Sequence, residues 1–225
     1  MSLPRTVRAV VFDMDGLLLD SETLYCDALI ASAAEMDADL PTEVVMRMIG
    51  HTWPGSATVL RDHFGDAFDT DLLRTRSVER FYEAAHSGIA LKAGVAEILD
   101  YLDAARLPRG VVTSSRRQEV EHHLGSHGLF DRFDFVLANG EYPQPKPHPA
   151  PYLVAADRLG LPAQDCLALE DSHNGVRAAA GAGMMTIMVP DMLDPTEEME
   201  SLCIRIARDL HEVRELLAGQ RSAIQ

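Results

Sequence analysis

The sequence predicts an α/β fold, in which a parallel-sheet core is interrupted by an inserted all-helical domain. Two observations lead to this prediction. The apolar run Val7 to Phe12 ends in the acidic segment Asp13-Met-Asp15-Gly16, which is typical of a buried parallel strand. From residue 93 onwards strand and helix patterns alternate, whereas residues 20–91 carry apolar residues at helical spacing only.

The elements that follow the first strand form two sets. In the insert, prolines and glycines separate four predicted helices, 24–36, 43–49, 56–64 and 71–85. After the insert, helices alternate with strands in the order helix 93–105, strand 109–113, helix 116–127, strand 134–138, helix 149–159, strand 166–169, helix 174–182, strand 184–189, and a last short strand and helix in 202–218. Such alternation predicts a Rossmann-like parallel sheet covered on both faces. The predicted domains are therefore a discontinuous core, 1–19 and 92–225, and a helical cap domain, 20–91.

Composition excludes several classes of protein. The 225 residues are 47% hydrophobic and 24% charged, as in a globular protein, and no apolar run has the length of a membrane span. The net charge of −15 opposes binding to nucleic acid and to anionic membranes. Three widely spaced cysteines and a start without a secretory signal indicate reduced thiols and a cytoplasmic location. We expect a monomer, although a dimer would leave no mark in the sequence.

Polar residues follow four of the predicted strands at their carboxyl ends, where parallel sheets bind ligands. In chain order these residues are Asp13 and Asp15, then Thr113, Ser114 and Ser115, then Lys146, then Glu170 and Asp171. Lys146 is notable because only two of the 20 basic residues are lysines, and the other is Lys92. The sequence therefore predicts four carboxylates, a hydroxyl cluster and one lysine at a single edge of the sheet.

This set of residues predicts a chemistry. Crowded carboxylates stay ionised near neutral pH only beside a cation, and ligands that are all oxygens favour a hard ion such as Mg²⁺. A phosphoryl group suits the metal, the lysine, a hydroxyl and the amides of the turn at Gly16. One aspartate can attack phosphorus, and a second, two residues on, can protonate the leaving oxygen and later activate water.

Four ordered segments resemble the motifs of the haloacid dehalogenase-like (HAD) hydrolase superfamily. The first is Asp13-Met-Asp15-Gly-Leu-Leu-Leu-Asp-Ser21, the second is Thr113, the third is Lys146, and the fourth is Glu170-Asp-Ser-His-Asn-Gly175. The resemblance covers essentially the whole chain, including a helical cap after the first motif. It implies that Asp13 is the nucleophile and a metal ligand, and that Asp15 is the acid/base and a ligand through its carbonyl. It further implies that Thr113 and Lys146 hold the phosphoryl group and that Glu170 and Asp171 bind Mg²⁺.

Several reactions share this scaffold. Asp15 argues against a dehalogenase, and a cap without lysine argues against a phosphonoacetaldehyde hydrolase. The chain is similar to the β-phosphoglucomutase and sugar-phosphatase subgroup, but 49–53 lacks the basic residues of the mutase, and Tyr25 replaces its cap histidine. We therefore expect a Mg²⁺-dependent phosphatase that hydrolyses a small phosphomonoester, a sugar phosphate or a nucleotide-like compound, through an aspartyl-phosphate intermediate. The alternatives are a phosphosugar mutase and a non-catalytic binding protein.

Overall fold

The computed structural model describes residues 3–49 and 51–222, with side chains up to Gln220. The chain divides into two compact units. One unit comprises the chain up to Leu19 and from Leu91 onwards, and the other is Asp20–Ala90. Within the described residues, no helix has both the length and the apolar character needed to cross a bilayer.

The first unit contains a six-stranded parallel sheet in the order β3-β2-β1-β4-β5-β6. Its strands are β1 (Ala9–Phe12), β2 (Arg109–Val112), β3 (Phe135–Leu137), β4 (Cys166–Glu170), β5 (Met185–Met188) and β6 (Arg205–Ile206). After β1 the chain adds β2 and then β3 on one side of β1. It then crosses to the other side of β1 and adds β4, β5 and β6 in turn. Such a reversal of direction leaves a crevice at the carboxyl ends of β1 and β4, which is where doubly wound sheets bind ligands. This six-stranded parallel sheet confirms the predicted α/β fold class.

Helices cover both faces of the sheet because its inner strands are apolar on both sides. These helices are α5 (Val95–Ala105), α6 (Arg117–Ser126), α7 (Ala150–Leu159), α8 (His173–Gly181), α9 (Glu197–Leu202) and α10 (Leu210–Ser222). On one face, Val11 of β1 and Val112 of β2 pack with Tyr152 and Ala155 of α7. This packing fixes α7 beneath the centre of the sheet, so that Tyr152 is fully buried.

In its described residues the second unit contains helices and no strand. It contains α1 (Ser21–Ala34), α2 (Thr42–Met46), α3 (Trp53–Phe64) and α4 (Thr70–His86). Its own core includes Leu29 of α1, Val45 of α2, Leu60 of α3 and Leu73 of α4. A unit that buries its own apolar side chains in this way has the organisation expected of an inserted domain.

The structure differs from the sequence predictions mainly at element ends and in one helix. The first strand begins at Ala9 rather than at Val7, and the first helix begins at Ser21 rather than at residue 24. Helix α9 was not predicted. Its signal is nevertheless local, since Thr196 caps the helix and three acidic residues follow in the first turn.

Glu212 of α10 forms hydrogen bonds with Arg205 of β6 and with the loop between β6 and α10. Its carboxylate accepts a hydrogen bond of 3.0 Å from Arg205 Nε and one of 3.1 Å from the backbone N–H of Arg208. These bonds, that from Arg205 above all, lower the pKa of Glu212 to about 2 from its ordinary value of 4.5. A carboxyl whose pKa is lowered by folding stabilises the fold above its ordinary pKa and loses this effect as the pH falls.

We therefore expect Glu212→Gln to lower the thermal unfolding midpoint at pH 7. The deficit should shrink as the pH falls from about 4.5 towards 2, because the natural carboxylate is then protonated as well. Differential scanning calorimetry over this pH range measures the effect. Glu215→Gln, an exposed position on the same helix, is the matched control, and an equal midpoint for the two variants at pH 7 would contradict the prediction.

Candidate active site

The candidate site lies at the carboxyl ends of β1 and β4, the two central strands. Asp13 follows β1 directly, and its backbone N–H donates to the carbonyl of Leu169 at 3.0 Å. Glu170 ends β4 and Asp171 follows it. Because β1 and β4 are paired in parallel register, the three carboxyl groups of Asp13, Glu170 and Asp171 reach the same edge of the sheet.

Lys146 stands among these carboxylates. Its Nζ lies 2.5 Å from Asp13 Oδ1 and 2.6 Å from Glu170 Oε1, and it donates to the carbonyl of Val112 at 3.1 Å. All three side chains are buried. Tyr152 O–H also donates to Glu170 Oε1, so the lysine and the tyrosine hold Glu170 from two sides.

The protonation of the cluster follows from burial and from charge. Burial raises the pKa of Asp13 to about 8; the Glu170 carboxylate adds to the rise, and Lys146 opposes it. Burial alone would lower the pKa of Lys146, but the two carboxylates beside it hold that pKa well above its ordinary value. Burial and Glu170 likewise raise the pKa of Tyr152 well above its ordinary value. Lys146 is thus a permanent cation here, and Tyr152 remains a hydrogen-bond donor.

Asp13, Glu170 and Asp171 form a cluster suited to a metal ion. Each offers one carboxylate oxygen, and these oxygens lie within 4.8 Å of one another. One lysine cannot balance three carboxylates, and an all-oxygen donor set fits a hard divalent cation. The site residues therefore fit a hard divalent metal ion.

The turn after β1 brings backbone against this cluster. Gly16 has a φ of +78°, and its N–H donates to the carbonyl of Leu19 at 2.9 Å. A Cβ at Gly16 would overlap the Asp171 carboxylate, and a Cβ at Gly175 would overlap the carboxyl group of Glu170. Ser172 supports Glu170 further, because its hydroxyl donates to Glu170 Oε2 at 3.3 Å and accepts from the N–H of Gly175.

Asp15 lies in a separate hydroxyl environment. Its Oδ2 accepts hydrogen bonds from Ser115 Oγ at 2.6 Å and from Thr113 Oγ1 at 3.2 Å. Thr113 is fully buried, and its Oγ1 in turn accepts from the N–H of Ser115. In the structure Thr113 and Ser115 thus act as hydrogen-bond donors to Asp15. Ser114 is exposed and interacts with the hydroxyl of Tyr142 instead.

Sequence reasoning missed two polar residues at this edge. Tyr152 lies on α7 and holds Glu170. Asp191 follows β5, and its Oδ1 accepts from Lys92 Nζ at 2.5 Å. The signal for Asp191 was available, since it is the first polar residue after predicted strand 184–189. Tyr152 had no such signal, because its position on a helix does not reveal which strand end its hydroxyl reaches.

Comparison with known proteins yields a family match and similar structures. The model of the haloacid dehalogenase-like hydrolase family matches residues 10–189. Hexitol phosphatase B of Escherichia coli (strain K12) is 32% identical over 198 residues, which are 84% of this chain and 86% of that protein. The crystal structure of a HAD family hydrolase from Deinococcus radiodurans R1, with bound phosphate and sodium, is 28% identical and has a TM-score of 0.81 over 96% of each chain.

A further crystal structure, CbbY from Rhodobacter sphaeroides in complex with phosphate, is 28% identical. Its TM-score is 0.69, and the match covers 92% of this chain and 96% of that one. Together these matches confirm the predicted resemblance to the sugar-phosphatase subgroup and the prediction of a phosphatase enzyme.

The close approach of Glu170 to Gly175 allows a direct test. We expect Gly175→Ala to displace the Glu170 carboxyl group, to lower the free energy of unfolding by about 1–3 kcal/mol and to weaken phosphatase activity. The matched control is Gly181→Ala on the same helix, where the new Cβ would lie at an ordinary 3.6 Å from Pro149 Cβ and 4.0 Å from Pro149 Cγ. Denaturant unfolding and phosphate release measure the two effects, and equal behaviour of the two variants would contradict the expected overlap.

Proposed function

Because the chain belongs to the haloacid dehalogenase-like hydrolase family, we propose that it is a Mg²⁺-dependent phosphatase of small phosphomonoesters. The observation that carries this proposal is the pairing of Asp13 with the buried Lys146, beside Glu170 and Asp171, at the central crevice of the sheet. Asp15, two residues on, adds a carboxyl group whose partners are hydroxyls rather than cations.

In the first half of the proposed reaction Asp13 is the nucleophile. One of its carboxylate oxygens attacks phosphorus, and the bond from phosphorus to the ester oxygen breaks. Asp15, in its protonated form, donates its proton to the departing oxygen, so that the product leaves as an alcohol. The products of this step are an aspartyl phosphate on Asp13 and an ionised Asp15.

In the second half Asp15 acts as the base. It takes a proton from a water molecule, whose oxygen attacks phosphorus and releases inorganic phosphate from Asp13. The Asp13 carboxylate and the protonated Asp15 are then restored, and the net reaction consumes one water. The hydrogen bonds from Thr113 and Ser115 orient the Asp15 carboxylate.

The other residues balance charge. Lys146 offsets the negative charge of Asp13 and of the phosphoryl oxygens, and we propose Thr113, Ser114 and Ser115 as further phosphoryl contacts. Asp13, Glu170 and Asp171 would hold Mg²⁺, together with the backbone carbonyl of Asp15 as the family resemblance implies. When bound, the ion supplies electrostatic stabilisation of the phosphoryl charge and keeps the Asp13 carboxylate ionised.

For the substrate we propose a sugar phosphate or a nucleotide-like phosphate, since a hexitol phosphatase and CbbY are among the similar proteins. Hydrolysis is favoured over the mutase reaction, because segment 49–53 offers no lysine or arginine for a second phosphate. Gly50 of that segment lies outside the described residues. We also propose that the helical unit serves as the family's cap and that the protein is a cytoplasmic monomer whose partner is a small phosphorylated metabolite; its three cysteines are free thiols.

Asp13→Asn tests the nucleophile. Phosphate release from a panel of sugar phosphates, nucleotides and phosphorylated acids should depend on Mg²⁺, stop with chelator, and fall about a thousandfold or more in Asp13→Asn. Asp131→Asn, an exposed position in the same unit, is the control for loss of one charge. Turnover that is insensitive to Asp13→Asn would sink the proposed function, and bisphosphate-primed isomerisation without phosphate release would favour the mutase.

Asp15→Asn tests the covalent intermediate. With p-nitrophenyl phosphate the leaving group needs no proton, so the first half-reaction should proceed and the second should stall for want of a base. Rapid-quench measurements should show a burst of about one nitrophenolate per enzyme, and mass spectrometry should find one phosphoryl group on the peptide that contains Asp13. Asp15→Asn that turns over steadily, with an unmodified Asp13 peptide, would contradict the two-step route.

A further inference from the structure

A fifth carboxylate lies at the same edge of the sheet and has no part in the mechanism above. Asp191 follows β5, the neighbour of β4, and therefore lies one strand beyond Glu170 and Asp171. A Cβ built on Gly16 would overlap Asp171 Oδ2 and would lie 3.4 Å from Asp191 Oδ2. The two carboxylate oxygens thus approach the same point of the backbone from neighbouring strands.

Asp191 is buried and only half of its carboxylate has a partner. Its side chain is 8% exposed. Oδ1 accepts from Lys92 Nζ at 2.5 Å, whereas Oδ2, which is also buried, accepts no hydrogen bond from any residue in 3–49 or 51–222. A buried charged oxygen without a donor is costly, and such atoms mark places where a bound water or ion completes the structure.

Lys92 fixes the direction in which this oxygen points. The backbone N–H of Lys92 donates to the carbonyl of Leu18 at 3.0 Å, so the lysine is anchored on the turn that contains Gly16. Its ammonium group donates to Oδ1 of Asp191, so that Oδ2 lies beside Gly16 and Asp171. Both lysines of the chain therefore bind carboxylates at this edge, Lys146 at β1 and β4, and Lys92 at β5.

We propose that Asp191 is a positioning residue of the metal centre, and that its Oδ2 accepts a hydrogen bond from a water bound to the ion held by Asp13, Glu170 and Asp171. The proposal rests on the proposed function, because it assumes that these three residues bind a divalent ion. Mg²⁺ and Mn²⁺ keep water ligands when bound to a few carboxylates, and groups that receive hydrogen bonds from such ligands strengthen binding. Lys92 then acts through Asp191, by holding its carboxylate in this orientation.

Asp191→Asn is the decisive variant because it preserves the shape of the side chain and replaces one acceptor oxygen with an NH₂ donor. Lys92 requires an acceptor, so the amide oxygen will face Lys92 and the NH₂ group will take the place of Oδ2. That NH₂ group is a donor, and it cannot accept a hydrogen bond from a metal-bound water. Asp194→Asn, in the same loop and exposed, removes the same charge and is the matched control.

Mn²⁺ is the probe, titrated into the full chain without substrate, with free Mn²⁺ read by electron paramagnetic resonance. We expect Asp191→Asn to weaken Mn²⁺ binding about tenfold and Asp194→Asn to leave it unchanged. Thermal midpoints in chelator verify that each variant is folded, and phosphate release by the natural chain is measured in parallel.

Two outcomes separate this inference from the proposed function. If Asp191→Asn binds Mn²⁺ as tightly as Asp194→Asn while the natural chain releases phosphate, Asp191 serves only as the partner of Lys92. The inference is then overturned and the proposed function stands. If the natural chain neither binds Mn²⁺ nor releases phosphate, the proposed function fails and this inference fails with it.

Discussion

The buried ion pairs of Lys146 with Asp13 and Glu170 are the interaction on which the rest of the site depends. Two buried carboxylates side by side would be strongly unfavourable without a cation in contact with both. Lys146 supplies that cation, and Tyr152 adds a neutral donor to Glu170. With Asp171 nearby the cluster still carries more negative than positive charge, so the folded chain remains suited to bind a divalent ion.

Two glycines allow the backbone to pass close to these carboxyl groups. Gly16 lies against Asp171, and Gly175 lies against Glu170, in positions where any Cβ would overlap a carboxyl group. The same turn that contains Gly16 connects to Lys92, which in turn binds Asp191. Asp171 and Asp191, which follow β4 and β5, thus both lie against one short stretch of main chain.

The two aspartates of the first motif lie in different surroundings, and this difference explains how one short segment can serve two roles. Asp13 is buried beside a lysine and other carboxylates, so its ionisation depends on nearby cations. Asp15 accepts hydrogen bonds from the Thr113 and Ser115 hydroxyls. Pairs of carboxyl groups whose environments differ in this way are the usual basis for a division into nucleophile and acid/base.

The sequence by itself determined the parallel sheet and the edge at which Asp13, Lys146 and Glu170 meet, because a side chain that follows a strand must lie at that strand's carboxyl end. Only the tertiary structure decided which groups touch. Lys146 meets Asp13 across 133 positions of the chain, Ser115 rather than Ser114 reaches Asp15, and Tyr152 reaches Glu170 from a helix. These choices depend on loop paths and on packing between distant elements, which local periodicity does not encode.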